Sequence, residues 1–322
     1  MLMAEMEKDK AGSAGMEDNG QNNGQSNGQN NGQNNGKRNG QNNGQSNGQI
    51  IRKSTSADLI IVRGAGDIST GTIHRLFRAG FPVLALETDH PSAIRRKVAF
   101  SEAVYDGTAT VEGITAVRIS GLREMTAVLE KGQLPLLVDP EGQSIRQLCP
   151  TVVVDAILAK KNLGTSMDMA DLTIALGPGF EAGKDVRYVI ETMRGHDLGR
   201  IISSGFAAPN TGVPGLIGGF GAERVIHSPA AGVFHMKRDI GDLVQAGEAV
   251  GTVTAPEGEI PVTTRISGIL RGIIRDEYPV TRGFKLADVD PRLEELKNCF
   301  TISDKARCIA GSVLELVCAA GG

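Results

Sequence analysis

Gly64, Gly66 and Glu87 have the types and spacing of a phosphate-binding turn followed by a ribose-binding acid. Gly64 permits a tight turn, and Gly66 lets a phosphate approach the backbone. The N–H groups at the start of the helix that follows would face the anion. An acid about 20 residues beyond the glycines is where a carboxylate bonds a ribose hydroxyl. Ala65, Asp67, Thr70 and Gly71 complete this candidate cofactor-binding set. Two features depart from G-x-G-x-x-G: Gly71 comes late, and Asp67 would repel a pyrophosphate. NAD(P) or another nucleotide is the expected ligand; a different small anion, or no ligand, is the competing reading.

A second group centres on the segment from Glu191 to Arg200, which is dense in groups that bind anions or move protons. Arg194 offers a planar fork for a carboxylate or phosphate. His196, between Gly195 and Asp197, is the best general acid/base candidate; a plain loop histidine is the alternative. Lys160, beside Lys161, is either helix surface or the partner of an acidic group. Gly177 and Gly179 make a second glycine turn that can cradle an anion or simply reverse the chain. Cys299 precedes an expected helix start that would lower a thiol pKa, while Cys308 and Cys318 read as buried. The run Arg95-Arg96-Lys97 either takes a phosphate or is a solvated turn. No H-x-H, H-E-x-x-H or Cys/His cluster is present, so no metal site is expected.

These residues need elements to hold them. Leu59-Ile60-Ile61-Val62 is a β-branched apolar run, as in a buried parallel strand. Ile73, Leu76 and Phe77 then recur at helical spacing up to Gly80-Phe81-Pro82, and Val83-Leu84-Ala85-Leu86 is a second strand. Further apolar runs at 134–138, 151–156 and 171–176 each end in a polar or glycine turn. Such strands build a parallel sheet whose carboxyl ends gather the candidate residues at one edge. The Gly/Pro/Ala-rich stretch 203–221 is read as both an active-site cover and a boundary. From about residue 224 the pattern changes to short strands and glycine turns in two related halves. It resembles the barrel-sandwich hybrid of biotinyl and lipoyl carriers. The hairpin near 254–260 has no lysine, so neither lipoate nor biotin is expected. Ser303 is a candidate N-cap for a closing helix with Ala306, Ile309, Ala310, Val313, Leu314 and Val317 on one face.

The expected fold is therefore α/β: a Rossmann-like parallel sheet with helices over 56–221, a small all-β barrel-sandwich-hybrid-like module over 222–291, and a C-terminal helix within 292–322 packing on the α/β part. Residues 1–55, dominated by NGQ-type repeats, are expected to be disordered. The chain has 322 residues and a net charge of −3, which points away from nucleic acid and anionic membranes. Aromatics are only 4% and Trp is absent, so the core must be aliphatic. There is no apolar run of about 18 residues for a membrane span and no secretory h-region at the N-terminus. The four cysteines lack C-x-x-C pairing, and a reduced cytoplasmic setting is expected.

The phrases RGAGDISTGTIHRLFRAGFPV, TDHPSAIRRKVAFSEAVYDG, VDAILAKKNLGT, LGPGFEAGKDV, VIETMRGHDLGRII, NTGVPG, DVDPR and TISDKARCIAGSVLE together resemble one family. It is that of the selenium-dependent molybdenum hydroxylase system proteins, the YqeB family, with kinship to xanthine dehydrogenase accessory factors. The resemblance covers nearly all of the chain from Leu59 onward. It implies an accessory or maturation role for a selenium-dependent molybdenum hydroxylase as partner, using a nucleotide or a molybdenum-cofactor-like anionic ligand. It brings no catalytic residues with it. The alternative function is a stand-alone NAD(P)-dependent oxidoreductase.

Overall fold

The computed structural model describes residues 59–212 and 215–321. The Asn/Gly/Gln-rich tail lies outside the described residues. The first strand, β1 (Ile60–Arg63), is buried along its whole length. Ile60 and Val62 enter the core on one side of the sheet, and Ile61 enters the core on the other. A strand apolar on both faces has to be covered on both, and this one is central.

The elements that follow are α1 (Asp67–Arg78), β2 (Val83–Glu87), α2 (Ala103–Asp106), β3 (Thr108–Val111), β4 (Ile114–Ile119), α3 (Met125–Glu130), β5 (Leu134–Val138), α4 (Gln143–Leu148), β6 (Val152–Asp155), β7 (Leu172–Leu176), β8 (Glu181–Ala182), β9 (Tyr188–Ile190), β10 (Ile201–Ile202) and β11 (Gly205–Phe206). Nine strands form one sheet, in the order β10-β9-β7-β6-β1-β2-β5-β4-β3. Neighbours from β9 through β4 are parallel, and the edge pairs β10–β9 and β3–β4 are antiparallel.

The Rossmann-like expectation is corrected here. That fold places a helix in each crossover between parallel strands. Between β6 and β7 this chain has only a 3-10 turn (Met167–Met169), and it passes from β7 to β9 through the two-residue β8 with no α-helix. The face left open is closed by α5 (Asp304–Ala320), from the end of the chain. Its Ala306, Ile309, Val313 and Val317 share one core with Ile60, Val154 and Ile174. The architecture is thus a mostly parallel sheet with antiparallel edges, covered on one face by α1 and α5. The opposite face is covered by Val128 of α3 and Ile145 of α4.

The sequence after residue 221 forms β12 (Val225–His227), β13 (Gly232–Met236), β14 (Leu243–Val244), β15 (Ala249–Ala255), β16 (Gly258–Thr263), β17 (Gly268–Ile273), β18 (Tyr278–Val280) and β19 (Lys285–Asp290). These make two four-stranded antiparallel sheets, β12-β19-β17-β14 and β16-β15-β13-β18. They share a core that includes Phe234, Val250, Ile269, Leu270 and Leu286. The β15–β16 hairpin closes on Ala255 opposite Gly258.

Arg95, Arg96 and Lys97 are all engaged within the protein, Lys97 from an exposed position. Arg95 donates to the carbonyls of Asn298 and Thr301, and Arg96 donates to that of Ile273. Arg96 and Lys97 both pair with Asp239. The run fastens the large sheet to the β module. Among the described residues no helix is long and apolar enough to cross a membrane.

Candidate functional site

Connections leave β1 toward β2 on one side, and the later strands β6, β7 and β9 are laid down on the other. Such a reversal leaves a crevice at the carboxyl ends of the strands, where open α/β sheets bind ligands. A cleft of about 310 Å³ lies there. Gly64, Gly66, Asp67 and Ser69 line it after β1, Glu87 and Thr88 after β2, and Ala156 to Leu158 after β6; Ser92 and Ser101 also contribute.

The glycines have distinct jobs. Gly64 has φ +93, and a side chain there would meet the Ala156 carbonyl at 2.8 Å. Its turn is therefore forced by a close backbone approach within the protein. Gly66, the N-cap of α1, has only Ser69 Oγ at 4.0 Å near its missing side chain, so it opens onto the cleft. Gly71 serves neither role: it is inside α1, where a Cβ would stand 2.7 Å from that of Ala306 in α5. Thr70 is also occupied internally. Its hydroxyl donates to the Ala65 carbonyl at 3.2 Å and accepts from the Phe100 N–H at 3.0 Å. These two members of the expected cofactor set hold α1 rather than face the cleft.

Glu87 reaches back into the turn. The Ala65 N–H donates to its Oε2 and the Thr88 N–H to its Oε1, each at 2.8 Å. Burial pushes this carboxyl above its ordinary value, against the two hydrogen bonds that favour the charged form. Each oxygen keeps a further lone pair for a ligand hydroxyl. Ser101 is fully buried, and its Oγ has no partner among the described residues. A buried hydroxyl left unpaired costs free energy unless a ligand or water meets it. Asp67 has a counter-charge the sequence did not reveal: Arg95 Nη1 lies 3.6 Å from its carboxylate. Its repulsion of an incoming anion is correspondingly reduced. Behind the cleft, Asp155 accepts from Thr165 at 2.5 Å, and Arg63 donates to the same Thr165 hydroxyl at 2.5 Å, locking the ends of β1 and β6.

The second group is not assembled around this cleft. Both terminal nitrogens of Arg194 donate to Asp304, at 2.7 and 2.9 Å, so its fork is filled by the protein's own α5. Arg194 in turn holds the Asp304 carboxyl far below its ordinary range. His196 is exposed and has no hydrogen-bond partner among the described residues. Lys160 is exposed with φ 63. Gly177 and Gly179 are packed, not open: a Cβ at the first would meet Thr192 Oγ1 at 2.6 Å, and one at the second would meet the Lys161 backbone at 2.7 Å. Cys299 is buried against the β-module core, and burial pushes its thiol pKa up, opposite to an activated thiol. Cys308 and Cys318, read as buried, are exposed.

Ser101 is the cleft residue that sequence reasoning missed; Arg95, named in the sequence as part of a basic run that takes a phosphate or is solvated, instead faces Asp67. Ser101 carries no local signal. Arg95 sits in a basic run whose direction depends on contacts some 200 positions away.

A mostly parallel sheet with a cleft at the carboxyl ends of its central strands is an open α/β architecture. Among known proteins, the chain is 49% identical over 257 residues to the uncharacterized protein YqeB of Escherichia coli (strain K12), a match taking in 80% of this chain and 47% of that protein. The chain spans about half the length of the curated relative it matches. No family model matches. The YqeB resemblance is supported; the selenium and molybdenum association is not, since that relative has no assigned activity. Solved structures similar to it include a succinylglutamate desuccinylase/aspartoacylase from Rhodobacter sphaeroides (15% identity, 72% of this chain and 85% of that one, TM-score 0.26). Another is the ectoine utilization protein EutE (DoeB) from Ruegeria pomeroyi (11% identity, 72% and 85%, TM-score 0.24). These neighbours are neither molybdenum-hydroxylase accessory proteins nor nicotinamide-dependent oxidoreductases. Neither functional expectation is supported by the matches, and neither is carried further. At such TM-scores the neighbours in turn lend this chain neither their fold nor their activity.

Proposed function

We propose that this chain binds a small polar ligand with neighbouring hydroxyl groups, a nucleotide being the class to test first, at the cleft between the ends of β6, β1 and β2. One observation carries the reading: the cleft at the strand-order reversal is walled by Glu87, whose carboxylate is fixed by two backbone N–H groups and retains acceptor capacity toward the ligand. A volume of about 310 Å³ suits a small molecule. The unpaired Ser101 hydroxyl and the start of the 12-residue α1 support it further. The reading includes a cytoplasmic setting, supported by four cysteines that all stand as free thiols.

The test is calorimetric titration of AMP, ATP, CTP and the 2′,3′-dideoxy form of ATP into the wild type and Gly66→Asp. Gly66 has φ −67 and open space, so the new side chain folds without strain while placing a carboxylate in the cleft. The wild type should bind a ribonucleotide, bind its dideoxy form at least about tenfold more weakly, and lose at least about tenfold in the variant. Absence of binding, or equal binding by wild type and variant, would sink the reading.

A further inference from the structure

A phosphate in a glycine turn is held by the turn's N–H groups and by a helix start whose partial positive charge faces it. In this chain the protein's own carboxylates occupy both features. The Ala65 N–H, between Gly64 and Gly66, donates to Glu87 Oε2 at 2.8 Å. Asp67 is the first residue of α1. A helix start carries about half a unit of positive charge, and Asp67 sets a full negative charge against it.

The rest of the cleft does not reverse that sign. Among the described residues that line it, Asp67 and Glu87 are the charged ones, with no lysine, arginine or histidine beside them. Arg95 reaches Asp67 at 3.6 Å from outside the lining; it is 7% exposed, and its Nη2 donates to the carbonyls of Asn298 and Thr301. Asp288 also acts on Arg95. Lys305 acts on Asp67 too, but Glu191 and Asp304 act on it in the same sense, and it stands outside the lining. Even with Arg95 credited in full against Asp67, Glu87 is left: its oxygens accept from the neutral Ala65 and Thr88 N–H groups, and it has no ion pair among the described residues. The polar walls are also rich in acceptors. Ser69 donates its proton to the Ala156 carbonyl at 3.2 Å and Thr88 donates to Asp89 at 3.0 Å, while their oxygens keep lone pairs. Such a lining is matched by O–H donors that carry no charge. A hydroxyl partner also suits the fully buried, unpaired Ser101 Oγ, since it can either donate or accept there.

We propose that the cleft selects the uncharged, hydroxyl-bearing part of its ligand and excludes phosphate, so that it recognises a nucleoside, and a nucleotide enters only with its phosphate left in solvent. This rests on the reading of the cleft given above and narrows its ligand class. The glycine turn keeps the shape of a phosphate loop, but Glu87 and Asp67 take the positions from which it would bind one.

Adenosine, cytidine, AMP and CMP are titrated calorimetrically into the full chain, as wild type, Gly66→Asp and Asp67→Asn, at low and at physiological salt. Divalent cations are left out, because they would screen the two carboxylates from a phosphate. Circular dichroism verifies folding; should Asp67→Asn be unstable, the wild-type comparison decides alone. The wild type should bind a nucleoside at least as tightly as its monophosphate. Asp67→Asn removes one carboxylate and frees the charge of Arg95, so the monophosphate should gain at least about threefold on its nucleoside at low salt and less at higher salt. A monophosphate that binds the wild type about tenfold or more tightly than its nucleoside, with Gly66→Asp weakening both, overturns this inference and leaves the reading of the cleft standing. A ratio of the two affinities that Asp67→Asn leaves unchanged does the same. If none of the four binds, or if Gly66→Asp binds them as well as the wild type, the reading of the cleft fails and this inference falls with it.

Discussion

Gly71 and Gly311 are both helical glycines, one in α1 and one in α5, and their surroundings give them opposite prospects. A methyl group at Gly71 would stand 2.7 Å from Ala306 Cβ and 2.9 Å from the Ala306 carbonyl oxygen, so backbone would have to move. At Gly311 the nearest atom is the far end of Arg75, at 3.9 Å. Replacing a helix-interior glycine by alanine gains about 0.5–1 kcal/mol from lost unfolded-state freedom. Overpacking costs about 1–3 kcal/mol. Gly311→Ala should therefore raise the urea midpoint, and Gly71→Ala should lower it. Equal effects would show that α1 and α5 do not approach as closely as described. The pair also shows what residue identity alone conceals. Gly71 looked like a displaced phosphate-loop glycine because it lies near Gly64 and Gly66; its reason is a helix some 235 positions later, which no local pattern announces.

At the scale of elements, what was readable in the sequence was local. The β-branched run at 59–62 falls on β1, and Ser303 is the N-cap of α5, with Ala306, Ile309, Ala310, Val313 and Val317 buried. Period and capping are carried by neighbours in the chain. What was unreadable was who covers whom. Nothing within residues 156–190 says that their crossovers lack α-helices and that α5 supplies the cover. The same blindness hid the site's electrostatics: Arg194 was read as an open fork because Asp304 is 110 positions away. The helix that fills this gap makes a direct prediction. Ser303 Oγ accepts from the Ala306 N–H at 3.2 Å. Ser303→Ala should cost about 1 kcal/mol and Ser303→Asp little, measured by urea denaturation. Because α5 closes the main core, the loss should appear in global unfolding; loss confined to hydrogen exchange at the last turns of α5 would mean the helix is dispensable to the sheet.

The molecule as a whole is held together at the junction of sheet and β module by Arg275, which pairs with Glu102 at 3.0 Å and with Asp106 at 2.5 Å and lies over the Tyr105 ring at 4.6 Å. Glu102 is 7% exposed, and one of its oxygens has no partner among the described residues. Arg275→Ala leaves that buried carboxylate with less compensation. Between the small worth of exposed ion pairs and the larger cost of stranding a buried charge, a loss of about 1–3 kcal/mol at pH 7 is expected. Its pH dependence follows from the two acids. Asp106 is held below its ordinary value, first by the Arg275 hydrogen bond, so its contribution is present above the unfolded carboxylate range and lost as pH falls through its folded value. Glu102 is pushed up, first by burial, with Arg96 and Arg275 opposing. It favours folding when protonated, and that contribution is lost as pH rises from its unfolded value through its folded one. Removing Arg275 raises Glu102 further and releases Asp106. The deficit of the variant is therefore larger toward higher pH and shrinks on acidification, Glu102 taking up its proton before Asp106. The Tyr105 contact leaves a remainder that does not vary with pH. Urea midpoints of the wild type, Arg275→Ala and Arg275→Ala with Glu102→Gln, taken from neutral pH down to about pH 4.5, test this. The double variant should recover part of the loss at neutral pH and show a flatter profile. A deficit that is constant across pH, or a Glu102→Gln change that deepens it, would mean that the junction is held by packing and not by this ion-pair cluster.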